Sequence, residues 1–338
     1  MGSTKFILGM RDQFFNELYK LFQEDPQAIF ITADNGAPTL DQFARDFPDR
    51  FFNVGIAEQQ LIGMACGMAF EGKKVYVYAI APFVSLRCYE QVKLDVCAMN
   101  LPIVLIGVGA GYAYDIMGPS HHTVEDVSIM RALPNLKIYS MADGTSAAEL
   151  ASVVHHDRSP QYIRFDRAGL PEVYAGRRIE IAQGLTQLRS GDDVCILTSG
   201  VMVHQALAAA DLLHESAGLN VGVIDVFRLK PLNGHALKQY LKNVARVVTL
   251  EEHLLAGGLG SLVAEWMIDE DRHIPTMRIG QDDRFVFDYG GRQAIWEKYG
   301  LDVGAVVSRI AGWVRGDHEK AKGVQPVSTH MAPHGAAY

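Results

Sequence analysis

In FFNVGIAEQQLIGMACGMAFEGKKVYVY, residues 51 to 78, a single carboxylate, Glu58, stands at the mouth of an apolar, small-residue segment that runs into a strand. Following VGIA, it falls in the first turn of a helix, where a carboxylate complements the helix dipole for about 0.3 to 1 kcal/mol. Gly63, Ala65, Gly67 and Ala69 then alternate with larger side chains, so this helix can approach another closely. An acid beside such a face suits a subunit interface with a buried ligand. A second stretch, APFVSLRCYEQVKLDV (81 to 96), puts Phe83 in a loop after a strand, with Arg87, Tyr89 and Glu90 on the helix beyond. Taken alone, Phe83 reads better as core. The third, GAGYAYDIMGPSHHTVEDVSIMRALP (109 to 134), opens as a Gly-rich loop and ends in a helix capped by Thr123, with Glu125 and Asp126 behind the cap. His121 and His122 precede that cap in a loop, where paired imidazoles suit a catalytic mouth. A metal site needs further ligands at short spacing, and none lies nearby.

The elements that must position these groups recur at α/β spacing. Apolar runs at 27–34, 74–80, 101–109, 136–142 and 160–166 read as strands buried on both faces, hence a mainly parallel sheet. Helical patterns at 11–23, 58–70 and 85–99 lie between them, giving a doubly wound unit. After the polar stretch RAGLPEVYAGRRIE (167 to 180) the pattern restarts, with strands at 194–200, 220–229, 246–252 and 276–280 and helices at 202–217, 259–270 and 302–314. The expected division is a first α/β domain over 1–178, a second over 179–317 and a tail over 318–338 whose composition is too poor in apolar residues to fold alone.

With 338 residues, 49% of them hydrophobic, the chain can bury two ordinary cores. A net charge of -8 with scattered Lys and Arg gives no footprint for nucleic acid. No run reaches the roughly 18 to 20 apolar residues of a membrane span, and MGSTKFILGM has no signal-peptide pattern, so a soluble, cytoplasmic protein is expected. Cys66, Cys88, Cys97 and Cys195 form no CxxC pair and read as reduced core thiols.

The segments FPDRFFNVGIAEQ (47 to 59), PFVSLRCYEQ (82 to 91), GPSHH (118 to 122), MRALPNLKI (130 to 138), IRFDRAG (163 to 169), LKPL (229 to 232) and EEHLLAGGLGS (251 to 261) together resemble the transketolase family of thiamine diphosphate enzymes, which includes 1-deoxyxylulose-5-phosphate synthase. The resemblance runs in family order over roughly residues 5 to 310. It implies two doubly wound domains, the pyrimidine-binding domain with its thiamin-diphosphate-binding fold and the transketolase C-terminal domain, out of a family total of three. It further implies that Glu58 hydrogen-bonds N1' of the cofactor's aminopyrimidine and promotes loss of the C2 proton. Phe83 matches the aromatic that stacks on that ring, and Arg87 joins the cofactor-binding set. His121 matches the histidine that contacts the donor and handles protons near its carbonyl oxygen. Arg11, Thr39 and Arg167 fall where the family holds a sugar phosphate.

The family's Gly-Asp-Gly site for Mg2+ and diphosphate has no counterpart. GDDVCILTSG (191 to 200), with Asn220 downstream, carries Asp193 in place of the second glycine and reads as a turn into a strand. The resemblance therefore implies thiamine diphosphate and Mg2+ held mainly by a partner, the N-terminal-section subunit, in an α2β2 assembly. Within the matching region Met117 replaces an aspartate before Gly-Pro, the Gly111 to Gly118 loop is longer with Asp115 its nearest acid, and IGVGAG lacks a basic residue that relatives place after the strand. The expected function is transfer of a two-carbon ketol unit from a ketose to an aldose. Its rivals are the β-subunit of a 2-oxo-acid dehydrogenase decarboxylase, a synthase-like acyloin formation, and a non-catalytic scaffold subunit.

Overall fold

A computed structural model describes residues 9–177 and 179–317; the expected boundary at 178 and the tail expected over 318–338 lie outside the described residues. The first half runs α1 (Met10–Glu24), β1 (Ala28–Thr32), α2 (Leu40–Asp46), β2 (Phe51–Asn53), α3 (Glu58–Phe70), β3 (Lys74–Ile80), α4 (Ala81–Ser85), α5 (Tyr89–Gln91), β4 (Ile103–Val108), α6 (Asp126–Arg131), β5 (Lys137–Ser140), α7 (Gly144–His156) and β6 (Gln161–Phe165). The second half runs β7 (Thr186–Arg189), β8 (Val194–Thr198), α8 (Met202–Ala217), β9 (Val221–Asp225), β10 (Arg228–Lys230), α9 (Gly234–Tyr240), β11 (Val247–Leu254), α10 (Leu259–Asp269), β12 (Thr276–Gln281), α11 (Arg292–Tyr299) and α12 (Val303–Arg315).

Two sheets result, ordered β10-β5-β6-β4-β3-β1-β2 and β12-β11-β8-β9-β7. All neighbours are parallel except β10 with β5 and β7 with β9. Strands β1, β4, β6, β8 and β9 are buried at every residue, which is why β1, β4 and β8 read as nearly continuous apolar runs, while β6 and β9 bury Gln161, Arg164 and Asp225 among apolar neighbours. Helices pack on both faces. In α1 the buried residues Met10, Phe14, Phe15, Leu18 and Phe22 form one stripe against the sheet. An Asp143–Ser146 capping box starts α7, which lies beside α1.

Three expectations need correction. Residues 220–229 are not one strand: β9 ends at Asp225, and β10 crosses over to edge the first sheet through Arg228↔Tyr139 and Lys230↔Ile138. The 85–99 helix is broken into α5 and a π-helical stretch, Val92–Cys97. Finally, Thr123 is no cap; its hydroxyl donates to His121 O, and α6 begins three residues later at Asp126.

Buried polar contacts lock the two halves together. Asp126 Oδ2 accepts from Arg164 Nε at 2.9 Å and from the Tyr162 hydroxyl at 2.7 Å, with His253 of the second half 3.8 Å from its other oxygen. Arg292 bridges Asp166 of the first half and Glu252 of the second. Asp166 and Glu252 are almost wholly buried, so removing Arg292 would strand two carboxylates, and this bridge favours one relative placement of the halves; His253 Nε2 and Asp126 Oδ1 face each other without a hydrogen bond.

Candidate functional site

Parallel doubly wound sheets gather their functional loops at the carboxyl ends of the strands. Here Glu58 follows β2, Phe83 follows β3, His121 lies in the loop after β4, and Arg167 follows β6. Glu58 is the first residue of α3, reached by a turn in which Gly55 takes a φ of +73°. Its side chain is only 4% exposed, and Oε2 accepts from Arg87 Nη1 at 2.8 Å. Phe83 sits not in a loop but in α4, the single turn that Pro82 begins. Arg87 N bonds back to Pro82 O, which brings Arg87 round by one turn and sets its guanidinium carbon 4.0 Å from the centre of the Phe83 ring. Gln59 donates to Arg87 O and ties the two helix starts together.

Arg87 thus makes, with one flat cation, a face contact on Phe83 and a hydrogen bond to Glu58. Those are the two contacts that a protonatable aminopyrimidine requires, so the residues present fit that ring.

The His121 ring also meets Phe83, standing edge-on with centroids 5.2 Å apart. His121 Nδ1 lies 3.0 Å from Ser120 Oγ. Burial, and secondarily the charge of Arg87, hold its pKa below the ordinary histidine value, which favours a neutral imidazole near pH 7. His122, expected beside it in the mouth, is instead 3% exposed and packs edge-on against Tyr112.

Toward the other end lie the expected anion-binding residues. Arg11 donates to both oxygens of Asp12 and to the Tyr78 hydroxyl, and Thr39 Oγ1 donates to Asp12 Oδ1 at 3.3 Å. Arg11 and Thr39 are therefore brought together, but through an acid that takes up much of the Arg11 charge. Arg167 has no ion pair among the described residues, and its guanidinium carbon lies 5.1 Å from the Tyr114 ring centre. Tyr114 in turn stands edge-on to His121 at 5.9 Å. Tyr114 had no signal in the sequence beyond its place in the Gly-rich loop.

Met117 is 48% exposed at the surface of that loop. Asp115 does not stand in for the missing aspartate: its Oδ2 accepts from Arg292 N at 2.9 Å and caps α11. The Gly191 to Asp193 segment is the turn into β8, with Asp193 Oδ2 accepting from Asn220 N at 2.8 Å. Among the described residues no group of three or more His, Cys, Asp or Glu could hold a metal ion, and no helix is long and apolar enough to cross a membrane. All four cysteines are free and buried.

Two families match the sequence: "Transketolase, pyrimidine binding domain" over residues 8–172 and "Transketolase, C-terminal domain" over residues 184–306. One subunit of the apulose-4-phosphate transketolase of Phocaeicola vulgatus is 33% identical over 298 residues, covering 88% of this chain and 94% of that protein. A putative transketolase C-terminal section of Methanocaldococcus jannaschii is 32% identical over 307 residues, covering 89% and 95%. Among solved structures, a split gene transketolase in the form of an inactive beta4 tetramer superposes with a TM-score of 0.81 at 36% identity, covering 92% of this chain and 98% of that one.

Proposed function

The chain belongs to the transketolase family, and from that premise we propose that it is the pyrimidine-binding subunit of a two-component enzyme that moves a two-carbon ketol unit from a ketose to an aldose. The observation that carries this reading is the grouping of a buried Glu58, the Phe83 face and the Phe83–His121 edge contact at one end of the sheet. A scaffold needs none of them. Thiamine diphosphate, the family's cofactor, supplies a carbon nucleophile that accepts and releases the ketol unit.

This chain's own residues do the rest of the work on one half of the site. Glu58 holds a proton at N1' of the aminopyrimidine, Phe83 fixes the plane of that ring, and Arg87 borders both. His121, kept neutral by burial, accepts a proton from a donor hydroxyl and returns it. Arg167 takes the phosphate of a sugar, with Arg11 and Thr39 lining the same end. Two relatives, each one subunit of an apulose-4-phosphate transketolase, support a phosphorylated sugar as the substrate class. Mg2+ and the diphosphate fall to the partner, the N-terminal-section subunit, in a cytoplasmic α2β2 enzyme. We assign the contact between two copies of this chain to α3, where an added Cβ at Gly63 or Gly67 would meet nothing within 4 Å and Phe70 is 64% exposed.

The test is reconstitution. The purified chain alone should transfer no ketol unit and bind thiamine diphosphate weakly by calorimetry, and adding a diphosphate-binding subunit should restore both. Tight binding by the chain alone would overturn the split.

A further inference from the structure

Tyr114 occupies ground that a backbone glycine leaves open. Gly109, the residue after β4, has a φ of +98°, and a Cβ built there would lie 2.2 and 2.4 Å from two carbons of the Tyr114 ring. No side chain at 109 is compatible with that ring, so the loop that carries Tyr114 and the glycine under it form one device. From there the ring meets His121 on one side and supports the Arg167 guanidinium on another. Burial raises the Tyr114 phenol above its ordinary value, the charges of Arg167 and Arg11 acting in the opposite sense, and the hydroxyl has no hydrogen-bond partner among the described residues. A half-buried phenol with an imidazole at its edge and a guanidinium over its ring keeps an unused donor, and the ligand chemistry that suits such a donor beside a cation is an anionic oxygen.

We infer that Tyr114 is the specificity-determining residue of the anion end: it positions Arg167 by a cation–π contact and adds its hydroxyl as a further donor to the substrate phosphate. The inference rests on the ketol-transfer reading for its choice of substrate. The cation–π contact limits the rotamers of a long side chain that has no ion pair to hold it, and so lowers the ordering cost of phosphate binding. The ring, not the hydroxyl, carries that part of the effect.

The reconstituted two-subunit enzyme separates these roles with a matched pair of acceptors, glyceraldehyde 3-phosphate and glyceraldehyde. Tyr114→Ala should raise KM for the phosphorylated aldehyde about tenfold or more beyond any change in KM for glyceraldehyde, so that the loss follows the charge of the acceptor. Tyr114→Phe keeps the ring and should cost only about threefold on the phosphorylated acceptor. The double variant Tyr114→Ala, Arg167→Ala should be only about threefold worse than Arg167→Ala alone, because the ring acts through the arginine and only the hydroxyl contact remains to be lost. Inorganic phosphate as a competitive inhibitor should lose affinity in the same order. Equal losses on both acceptors, a double variant that is worse than Arg167→Ala by the full factor of about ten, or unchanged phosphate inhibition in Tyr114→Ala would each overturn the assignment. Binding of inorganic phosphate to the full chain, wild type against Tyr114→Ala, reads the same contact without turnover. If that difference appears while the reconstituted wild type transfers no ketol unit, the ketol-transfer reading fails and the anion site stands.

Discussion

Replacing Glu58 with glutamine separates structure from chemistry at one atom. The carboxylate accepts a 2.8 Å hydrogen bond from Arg87, whose side chain is 42% exposed. A charge-assisted bond of this kind stabilises by about 1.5 to 3 kcal/mol, and a neutral amide in its place still contributes about 0.5 to 1.5. The difference, about 1 kcal/mol, is reduced because the variant no longer buries a charge and Arg87 is free to turn toward water. In a chain of this size 1 kcal/mol moves Tm by about 2 to 4 °C, so Glu58→Gln should fold, pair with its partner and melt within a few degrees of wild type. Proton handling is another matter. A positioned acid–base group contributes about 10² to 10⁴ in rate, equivalent to about 2.7 to 5.4 kcal/mol of barrier, and the amide cannot share a proton at N1' as the carboxylate does. Hydrogen–deuterium exchange at C2 of thiamine diphosphate in the reconstituted assembly, followed by NMR, should therefore slow at least a hundredfold in Glu58→Gln. Exchange within tenfold of wild type would refute the role given to Glu58. A fall in Tm of 10 °C or more would instead mark the carboxylate as structural.

Arg167→Ala should raise KM for a phosphorylated acceptor about tenfold or more, since one charge-assisted contact stabilises by roughly 1.5 to 3 kcal/mol and 1.4 kcal/mol is a decade; steady-state kinetics with charged and neutral aldehydes would expose equal losses if the arginine is merely structural. Met117→Asp should improve xylulose 5-phosphate as donor, because a thioether cannot accept from a sugar hydroxyl and position 117 is exposed to take the charge; an unchanged or lower kcat/KM would place Met117 away from the donor. Burial raises the Asp225 carboxyl to about 8, with the Tyr174 hydroxyl donating to Oδ2 at 2.8 Å. The folded chain then holds a proton that the unfolded chain has lost between about pH 4 and pH 8, so this group makes stability fall with rising pH across that window, by at most about 1.4 kcal/mol per unit. Asp225→Asn has no such slope, so its Tm relative to wild type should climb from pH 4 to pH 8 and then level; parallel melting curves would show that Asp225 ionises normally. Burial lowers His253 to about 4, so its contribution has the opposite sign: present above about pH 6.5 and lost as pH falls toward 4, which His253→Gln should flatten in the same melts.

What could be read from the sequence depended on how many elements a residue's role involves. Strands β1, β4 and β8 were legible because burial on both faces leaves a nearly unbroken apolar run. Helices α1, α3 and α8 match their expected ranges within a residue because their patterns are continuous. Glu58 was legible for the same reason, as one acid against an apolar background. Periodicity failed where the chain changes partner within a run: residues 220–229 stay mostly apolar through Phe227, so only the charged Arg228 and Lys230, half-buried at the edge of the first sheet, mark the change from one sheet to the other. It failed again at 85–99, where a helical hydrophobic pattern does not distinguish α from π winding.

The site residues divide in the same way, and the division says how far a matched position can be trusted as a function. Adjacent histidines look equivalent in the sequence, yet His121 faces Phe83 while His122 turns inward onto Tyr112. Asp115 was the natural substitute for the acid missing at 117, but its partner, the start of α11, lies 177 residues away. Arg11 matched a phosphate-binding position, and the residue that qualifies it is its own neighbour: Asp12 takes hydrogen bonds from Arg11 and from Thr39 alike. A cation already paired offers less to a ligand than one held only by an aromatic face, because its field is largely cancelled before the ligand arrives. On that argument the phosphate end proposed above would depend on Arg167 and the ring under it more than on Arg11, although the sequence presents the two arginines as equals.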